Sequence, residues 1–212
     1  LAALKAYGQC SVVIDLIYGL PGQTMEVWEQ DLADLVKSGV DGADLYQLNV
    51  FDGSDLNRDI ASGKVPPAAT TAMQGDMFEF GRTYLEARAY RRLSAAHWSA
   101  NNRERSLYNI LAKAGVPMFP FGSGAGGNVD GYGMMLHRAL KPYEDMVSRG
   151  EKPFMALMKQ SDLQPFVNQV VSQLEQGYLN INTLVAMDSR LDELNWLYKL
   201  WEKRGLVSYN GL

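Results

Sequence analysis

Residues 12–24, VVIDLIYGLPGQT, open on an aliphatic run that a single carboxylate interrupts and a Gly-Leu-Pro-Gly sequence ends. Val12, Val13, Ile14, Leu16 and Ile17 form the pattern expected of a parallel strand covered on both faces by helices. Trp28, Leu32 and Leu35 then recur at helical spacing up to Gly39. Thr24 stands where a side-chain cap is needed, and Glu26 falls at the positive end of the helix dipole. This predicts a strand–loop–helix unit with Asp15 toward the loop end of the strand, where parallel α/β folds hold their ligands.

Residues 43–51, ADLYQLNVF, alternate so that Leu45, Gln47, Asn49 and Phe51 share one face and Tyr46, Leu48 and Val50 the other. The second face is expected on helices; the first, with Gln47 and Asn49, suits a barrel interior lined for hydrogen bonding. Residues 52–67 are a polar excursion rich in turn residues, and the periodicity predicts a helix over 68–90 with Met73, Met77, Phe80, Tyr84 and Leu85 on its apolar side. A third short strand, 92–100, carries His97, and a helix closed by Gly115 leads into the glycine-dense residues 116–136. From Arg138 onward the pattern is almost wholly helical, ending on a stripe of Leu194, Leu197, Tyr198 and Trp201 before Gly205. The fold class is therefore α/β over residues 1–137, followed by a mainly helical module over 138–212.

Composition narrows the function classes. A net charge of −4, with Lys and Arg spread along the chain, gives no footprint for nucleic acid. No apolar stretch reaches the roughly 20 residues needed to cross a bilayer, so neither partner nor address is membrane and the expected compartment is the cytoplasm. Cys10 alone excludes an internal disulfide and a multi-cysteine metal site, and two histidines offer no zinc set. The first residue is not Met and the chain opens within a helical pattern, which reads as an excerpt of a longer protein.

Asp15 admits two readings. Burial of an unpartnered carboxylate costs several kcal/mol, so it needs either a basic partner in the core or a ligand such as a ribose that donates hydrogen bonds to it. Gly19 to Gln23, taken alone, read as a plain βα turn. Gly122, Gly124 and Gly127 have dinucleotide-fingerprint spacing, but Asn128, Asp130, Gly131 and Gly133 forbid the helix such a fingerprint opens. A loop that lets backbone approach a flat or bulky ligand is the better reading. His97 and His137 read as structural, and Met134, Met135, Met155 and Met158 as core filler able to line an apolar pocket.

IDLIYGLPGQT followed by a Trp-containing amphipathic helix resembles the mid-barrel signature of the radical S-adenosylmethionine family that includes oxygen-independent coproporphyrinogen III oxidase and its haem-chaperone relatives. RERSLYNILAKAGVPMFPFGSGAGGNVDGYGMMLHRAL and the later GEKPF resemble the haem-utilisation branch of that family, whose members open the haem macrocycle by radical methyl transfer. LDELNWLYKLWEKRGLVSYNGL resembles its winged-helix-like C-terminal module. The resemblance implies the later strands and helices of an incomplete (β/α) TIM-like barrel, the C-terminal half of a family member. It implies S-adenosylmethionine as cofactor, a haem or related tetrapyrrole as substrate, and a flavodoxin- or flavin-type reductant.

By the same resemblance Asp15 contacts S-adenosylmethionine beside the turn of Gly19 and Gln23. Gln47 and Asn49 help position it, and Phe51, Phe121, Gly122 and Gly124 line the nucleoside pocket. The family's [4Fe–4S] cluster needs three cysteine thiolates that this chain lacks, so the chain alone is expected to be inactive. NVFDGS stands where the oxidase has a Tyr-Ala-His segment, which argues against coproporphyrinogen decarboxylation. An oxidase-type enzyme and a non-enzymatic haem carrier on the same scaffold remain the alternatives.

Overall fold

A computed structural model describes residues 1–210; Gly211, Leu212 and the side chains of Leu191 and Leu194 lie outside that description, and with them the end of the C-terminal module and the first position of its stripe. The described chain forms two compact units, Leu1–Ser106 and Leu107–Leu212. The first contains α1 (Ala2–Tyr7), β1 (Val13–Tyr18), α2 (Met25–Ser38), β2 (Gly42–Gln47), α3 (Asp55–Ala61), α4 (Thr71–Glu86), β3 (Arg91–Arg92) and β4 (His97–Ser99).

The predicted unit forms. Thr24 Oγ1 accepts a hydrogen bond from the Val27 N–H at 3.3 Å, and Gly39 ends α2 in the left-handed conformation at φ 61°. Trp28, Leu32 and Leu35 are buried. The 68–90 helix is shorter than its periodicity suggests, Thr71–Glu86 with Thr70 as cap, and places Met77 and Leu85 in the core. Trp28 joins the two helices by donating its indole N–H to the Met77 carbonyl at 2.8 Å. They approach closely at Gly81, where a Cβ would lie 3.1 Å from Leu45 Cδ1 and 3.2 Å from Trp28 Cζ2.

The sheet order is β1-β2-β4-β3, with β1 and β2 parallel and the other pairs antiparallel. The strand expected over 92–100 is thus a hairpin of two short strands, closed by Leu93 N–H on the His97 carbonyl at 2.8 Å. So short a link can only reverse the chain, because a parallel neighbour needs a crossover of a dozen or more residues.

Two expectations about faces are corrected. β1 is covered on one side only: Ile14, Leu16 and Tyr18 face the helices, whereas Asp15 and Ile17 are exposed. On β2 the assignment is inverted. Leu45 is 2% exposed against α4, Gln47 turns to the same helix, and Tyr46, expected in the core, is 43% exposed.

The second unit contains α5 (Leu107–Lys113), β5 (Gly126–Val129), β6 (Tyr132–Leu136), α6 (Leu140–Ser148), β7 (Phe154–Lys159), α7 (Gln164–Glu175), α8 (Ile181–Met187), a 3-10 turn (Ser189–Leu194) and α9 (Asn195–Lys203). Tyr198 and Trp201 meet edge to face on α9 with ring centroids 5.9 Å apart, and Gly205 follows at φ 70°. The glycine-rich passage, grouped above with residues 1–137 and read as a loop, supplies β5 and β6 of an antiparallel sheet completed by β7. The region after Arg138 is accordingly not wholly helical. Asp130 and Gly131, at φ 50° and 76°, make the tight turn between β5 and β6. Gly127 admits the neighbouring chain, since a Cβ there would sit 2.4 Å from the Met118 carbonyl oxygen.

Gly127→Ala should therefore break the Met118–Asn128 bridge and lower the urea midpoint. Gly75→Ala, within α4 and with nothing within 4 Å, should raise stability by about 0.5–1 kcal/mol. Equal effects of the two substitutions in denaturant titrations would contradict this packing.

Candidate functional site

The face of β1 and β2 away from the helices brings several ionisable groups together. Parallel pairing sets Asp15 beside Asp44 and Ile17 beside Tyr46, and antiparallel pairing sets Asp44 beside His97. Asp15 is exposed and makes no hydrogen bond or ion pair among the described residues, so the core salt bridge considered for it does not form. Asp44 is buried, and its Oδ1 lies 2.9 Å from His97 Nδ1. His97 Nε2 lies 3.2 Å from Glu104 Oε1, and Ser11 Oγ donates to Glu104 Oε2 at 3.1 Å. His97 is thus satisfied on both ring nitrogens.

The hydrogen bond to Asp44 raises the His97 pKa above its usual 6.5; burial opposes this, and Asp44 and Glu104 add attraction. Partial burial, together with the nearby Asp44 and Asp15 carboxylates, pushes the Tyr46 phenol above its usual 10.0. Asp44, Tyr46 and Glu104 are the groups that reading the sequence missed. Asp44 is a second carboxylate within a strand, and laying the two predicted strands in register would have found it opposite Asp15.

At the ends of these strands three glutamines hold the backbone. Gln23, 8% exposed, accepts through Oε1 from the Gly19 and Leu20 N–H groups at 2.7 and 3.2 Å, and donates to Asp31 Oδ2 at 3.2 Å. Gln74 on α4 accepts from Gln47 Nε2 at 2.6 Å and donates to the Leu48 carbonyl at 3.1 Å. Its side chain occupies the space a Cβ on Gly19 would need, 2.6 Å from Nε2. Gly19, Gln23 and Gln47 therefore spend polar groups on the turn and strand ends.

Asn49 is exposed, with Nδ2 3.4 Å from the Gln47 carbonyl, and the Phe51 ring is 70% exposed beyond β2. Phe121, 87% exposed, Gly122 and Gly124 belong to the second unit, both glycines in the left-handed region at φ 94° and 76°. Cys10 is exposed and free. Among the described residues no three His, Cys, Asp or Glu side chains gather to hold a metal ion, and no helix is long and apolar enough to cross a membrane.

The raised pKa of His97 has a defined sign. Folding tightens proton binding, so the stabilisation is full below about 6.5 and fades as pH rises through the folded value. The stability difference between the wild-type chain and His97→Gln should shrink on going from about pH 6 to about pH 9. A difference that is flat or grows in urea titrations across that window would exclude a protonated His97.

No family model matches the chain. It is 33% identical over 199 residues to anaerobilin synthase from Escherichia coli O157:H7, covering 93% of this chain and 44% of that protein. It is 23% identical over 146 residues to the heme chaperone HemW of Bacillus subtilis, covering 68% of this chain and 38% of the chaperone. Among solved structures, coproporphyrinogen III oxidase from Escherichia coli, a radical SAM enzyme, superposes with a TM-score of 0.73 at 17% identity, over 97% of this chain and 51% of its own. The last is a likeness of fold. The chain spans less than half the length of the two curated relatives, and its α/β fold, its strand-turn-helix signature around Asp15 and its match to anaerobilin synthase agree: it belongs to the radical S-adenosylmethionine family related to oxygen-independent coproporphyrinogen III oxidase.

Proposed function

We propose that this chain is the ligand-positioning part of a radical S-adenosylmethionine enzyme that acts on haem or a related tetrapyrrole, with β1 and β2 as later strands of an incomplete (β/α) barrel and residues 138–212 as a winged-helix-like module. The observation that carries this reading is Asp15, an unpartnered carboxylate on the open sheet face beside a turn immobilised by Gln23, in a chain so similar to anaerobilin synthase.

Asp15 fits the cofactor. An ionised carboxylate with all its lone pairs free accepts hydrogen bonds from a pair of ribose hydroxyls or from an ammonium group. Bound there, S-adenosylmethionine would supply the transferable methyl and 5′-deoxyadenosyl groups. Gln23, Gln47 and Gln74 would keep the strand ends from shifting under it, and the Phe51 ring offers an apolar wall. The residues of this chain do not fit a [4Fe–4S] cluster, which is held by several cysteine thiolates where this chain has one cysteine.

The test is anaerobic reconstitution of the longer protein with iron and sulfide, then reduction by a flavodoxin-type donor with haem present. 5′-Deoxyadenosine and a consumed haem are expected. An intact cluster that yields neither product would rule the enzyme out, and haem returned unchanged from a one-to-one complex would establish a carrier instead.

Asp15→Asn provides the residue-level check. Because Asp15 is exposed and unpaired, stability should change by no more than about 0.5 kcal/mol. Affinity for S-adenosylmethionine should fall by about tenfold or more, the worth of a charge-assisted hydrogen bond. Unchanged affinity in equilibrium binding would remove Asp15 from the site.

A further inference from the structure

Residues 101–106, the last of the first unit, form a strap tied to the segment that enters β1. Arg103 Nη2 donates to the Gly8 and Cys10 carbonyls at 2.9 and 2.7 Å, and Asn101 Nδ2 donates to Asp41 Oδ1 at 2.9 Å. Glu104 is the knot. Its Oε2 accepts from Ser11 Oγ at 3.1 Å, while its Oε1 accepts from the Ser106 N–H and lies 3.2 Å from His97 Nε2. Gly42 makes room for this side chain, since a Cβ there would lie 2.9 Å from Glu104 Cγ.

His97, 4% exposed, is bracketed by two carboxylates, Asp44 at Nδ1 and Glu104 at Nε2. An ionised carboxylate can only accept, whereas a neutral imidazole offers one N–H and one lone pair and an imidazolium two N–H groups. Both contacts can therefore be hydrogen bonds only while the ring is protonated. Asp44 holds the shorter contact, 2.9 Å, and is buried within β2, so a neutral ring keeps its hydrogen on Nδ1 and turns a lone pair toward Glu104. Out of water that contact is repulsive. Glu104 can relieve it, because it stands between the exposed Arg103 and Arg105 on the strap. Other charged or titratable groups on the neighbouring elements are Asp15 on β1, Tyr46 on β2, Arg91 and Arg92 on β3, and the Asp41–Arg103 ion pair at 3.4 Å. Among the described residues only Asp44 and Glu104 pair with the ring.

We infer that Asp44, His97 and Glu104 form a pH-operated clasp: a protonated His97 holds the strap of residues 101–106 against the sheet and the entry to β1, and a neutral His97 releases Glu104 and lets the strap open. The clasp is built from the first unit's own contacts and needs no bound ligand. Its direction is fixed by the count of N–H groups, closed at low pH and open at high pH. The hydrogen bond to Asp44, which raises the His97 pKa, extends the closed form above pH 6.5. Release frees the Ser11 hydroxyl and the Ser106 N–H together, since both are held by the same carboxylate.

Limited trypsin digestion reads the strap directly, because Arg103 and Arg105 lie within it and are exposed. The initial rate of cleavage after these two residues, divided by that of an unstructured reference peptide in the same digest, should rise about tenfold from about pH 6 to about pH 9, the worth of one charge-assisted hydrogen bond. Cleavage after Lys37 in α2 and Arg82 in α4 should stay slow throughout, which separates opening of the strap from unfolding of the unit. Glu104→Gln should abolish the rise and keep the strap closed, because a carboxamide accepts from an imidazolium and donates to the lone pair of a neutral ring. His97→Gln, with nothing to titrate at that position, should give a flat profile. A flat profile for the wild type, a rise shared by Lys37 and Arg82, or a Glu104→Gln variant that opens with pH as the wild type does would each overturn the clasp.

Discussion

A sheet that packs on one face alone depends on the density of that single layer, and in the first unit Trp28 provides it. The indole is fully buried, lies 5.6 Å from the Tyr18 ring, and donates to the Met77 carbonyl, so one side chain joins β1, α2 and α4. Burial of a side chain this large contributes several times the stabilisation of a typical hydrogen bond. With Leu32, Leu45, Met77 and Trp98 around it, the helix side of the sheet carries the fold. The opposite side is then free to hold carboxylates, because nothing there must be apolar for the unit to stand.

That freedom is used unequally by two acids lying side by side. Asp44 is buried against His97, which Glu104 holds from its other nitrogen, so two carboxylates and the ring form a fixed polar floor. Asp15, its register partner, is left exposed. Two carboxylates beside one imidazolium leave the floor negative, which suits a cationic ligand such as a sulfonium under the proposed function and suits an anionic one poorly. The glutamine contacts add rigidity without charge. An amide both donates and accepts, so Gln74 can join Gln47 to the Leu48 carbonyl while leaving the potential at the strand ends to Asp15.

What could be read from the sequence tracks how local its cause is. The Thr24 cap, the Gly39 stop and the Trp28, Leu32, Leu35 stripe are decided within a few residues, and all appear where the pattern puts them. The face of β2 was not legible. Leu45 and Gln47 on one side and Tyr46 and Leu48 on the other are equally mixed, and contacts distant in sequence, Gln74 on Gln47 and the Gly81 approach to Leu45, go with the side that meets the helix. The β5–β7 sheet was obscured for a different reason. Glycine is scarce in strand interiors, yet Gly126, Gly127 and Gly133 sit there, and the close approach of Met118 to Gly127 is a tertiary event that no local propensity anticipates.

The same logic explains why Asp15 could be located but not its environment. A lone acid in an aliphatic run signals a special position, and that signal is local; whether the acid is buried depends on which faces of the strand are covered, which is not. Covering both faces of β1 would have required a basic partner for Asp15, and Arg82 and Arg88 on and after α4 and Arg92 on β3 turn instead to Glu79 and Glu86, to the Tyr84 ring and to the Phe78 ring. With these cations committed on or near the helix layer, the open face keeps its negative charge. The separation of a cation-bearing, apolar layer from an acid-bearing face is therefore a consequence of packing the sheet on one side, and it leaves Asp15 exposed and unpaired among the described residues.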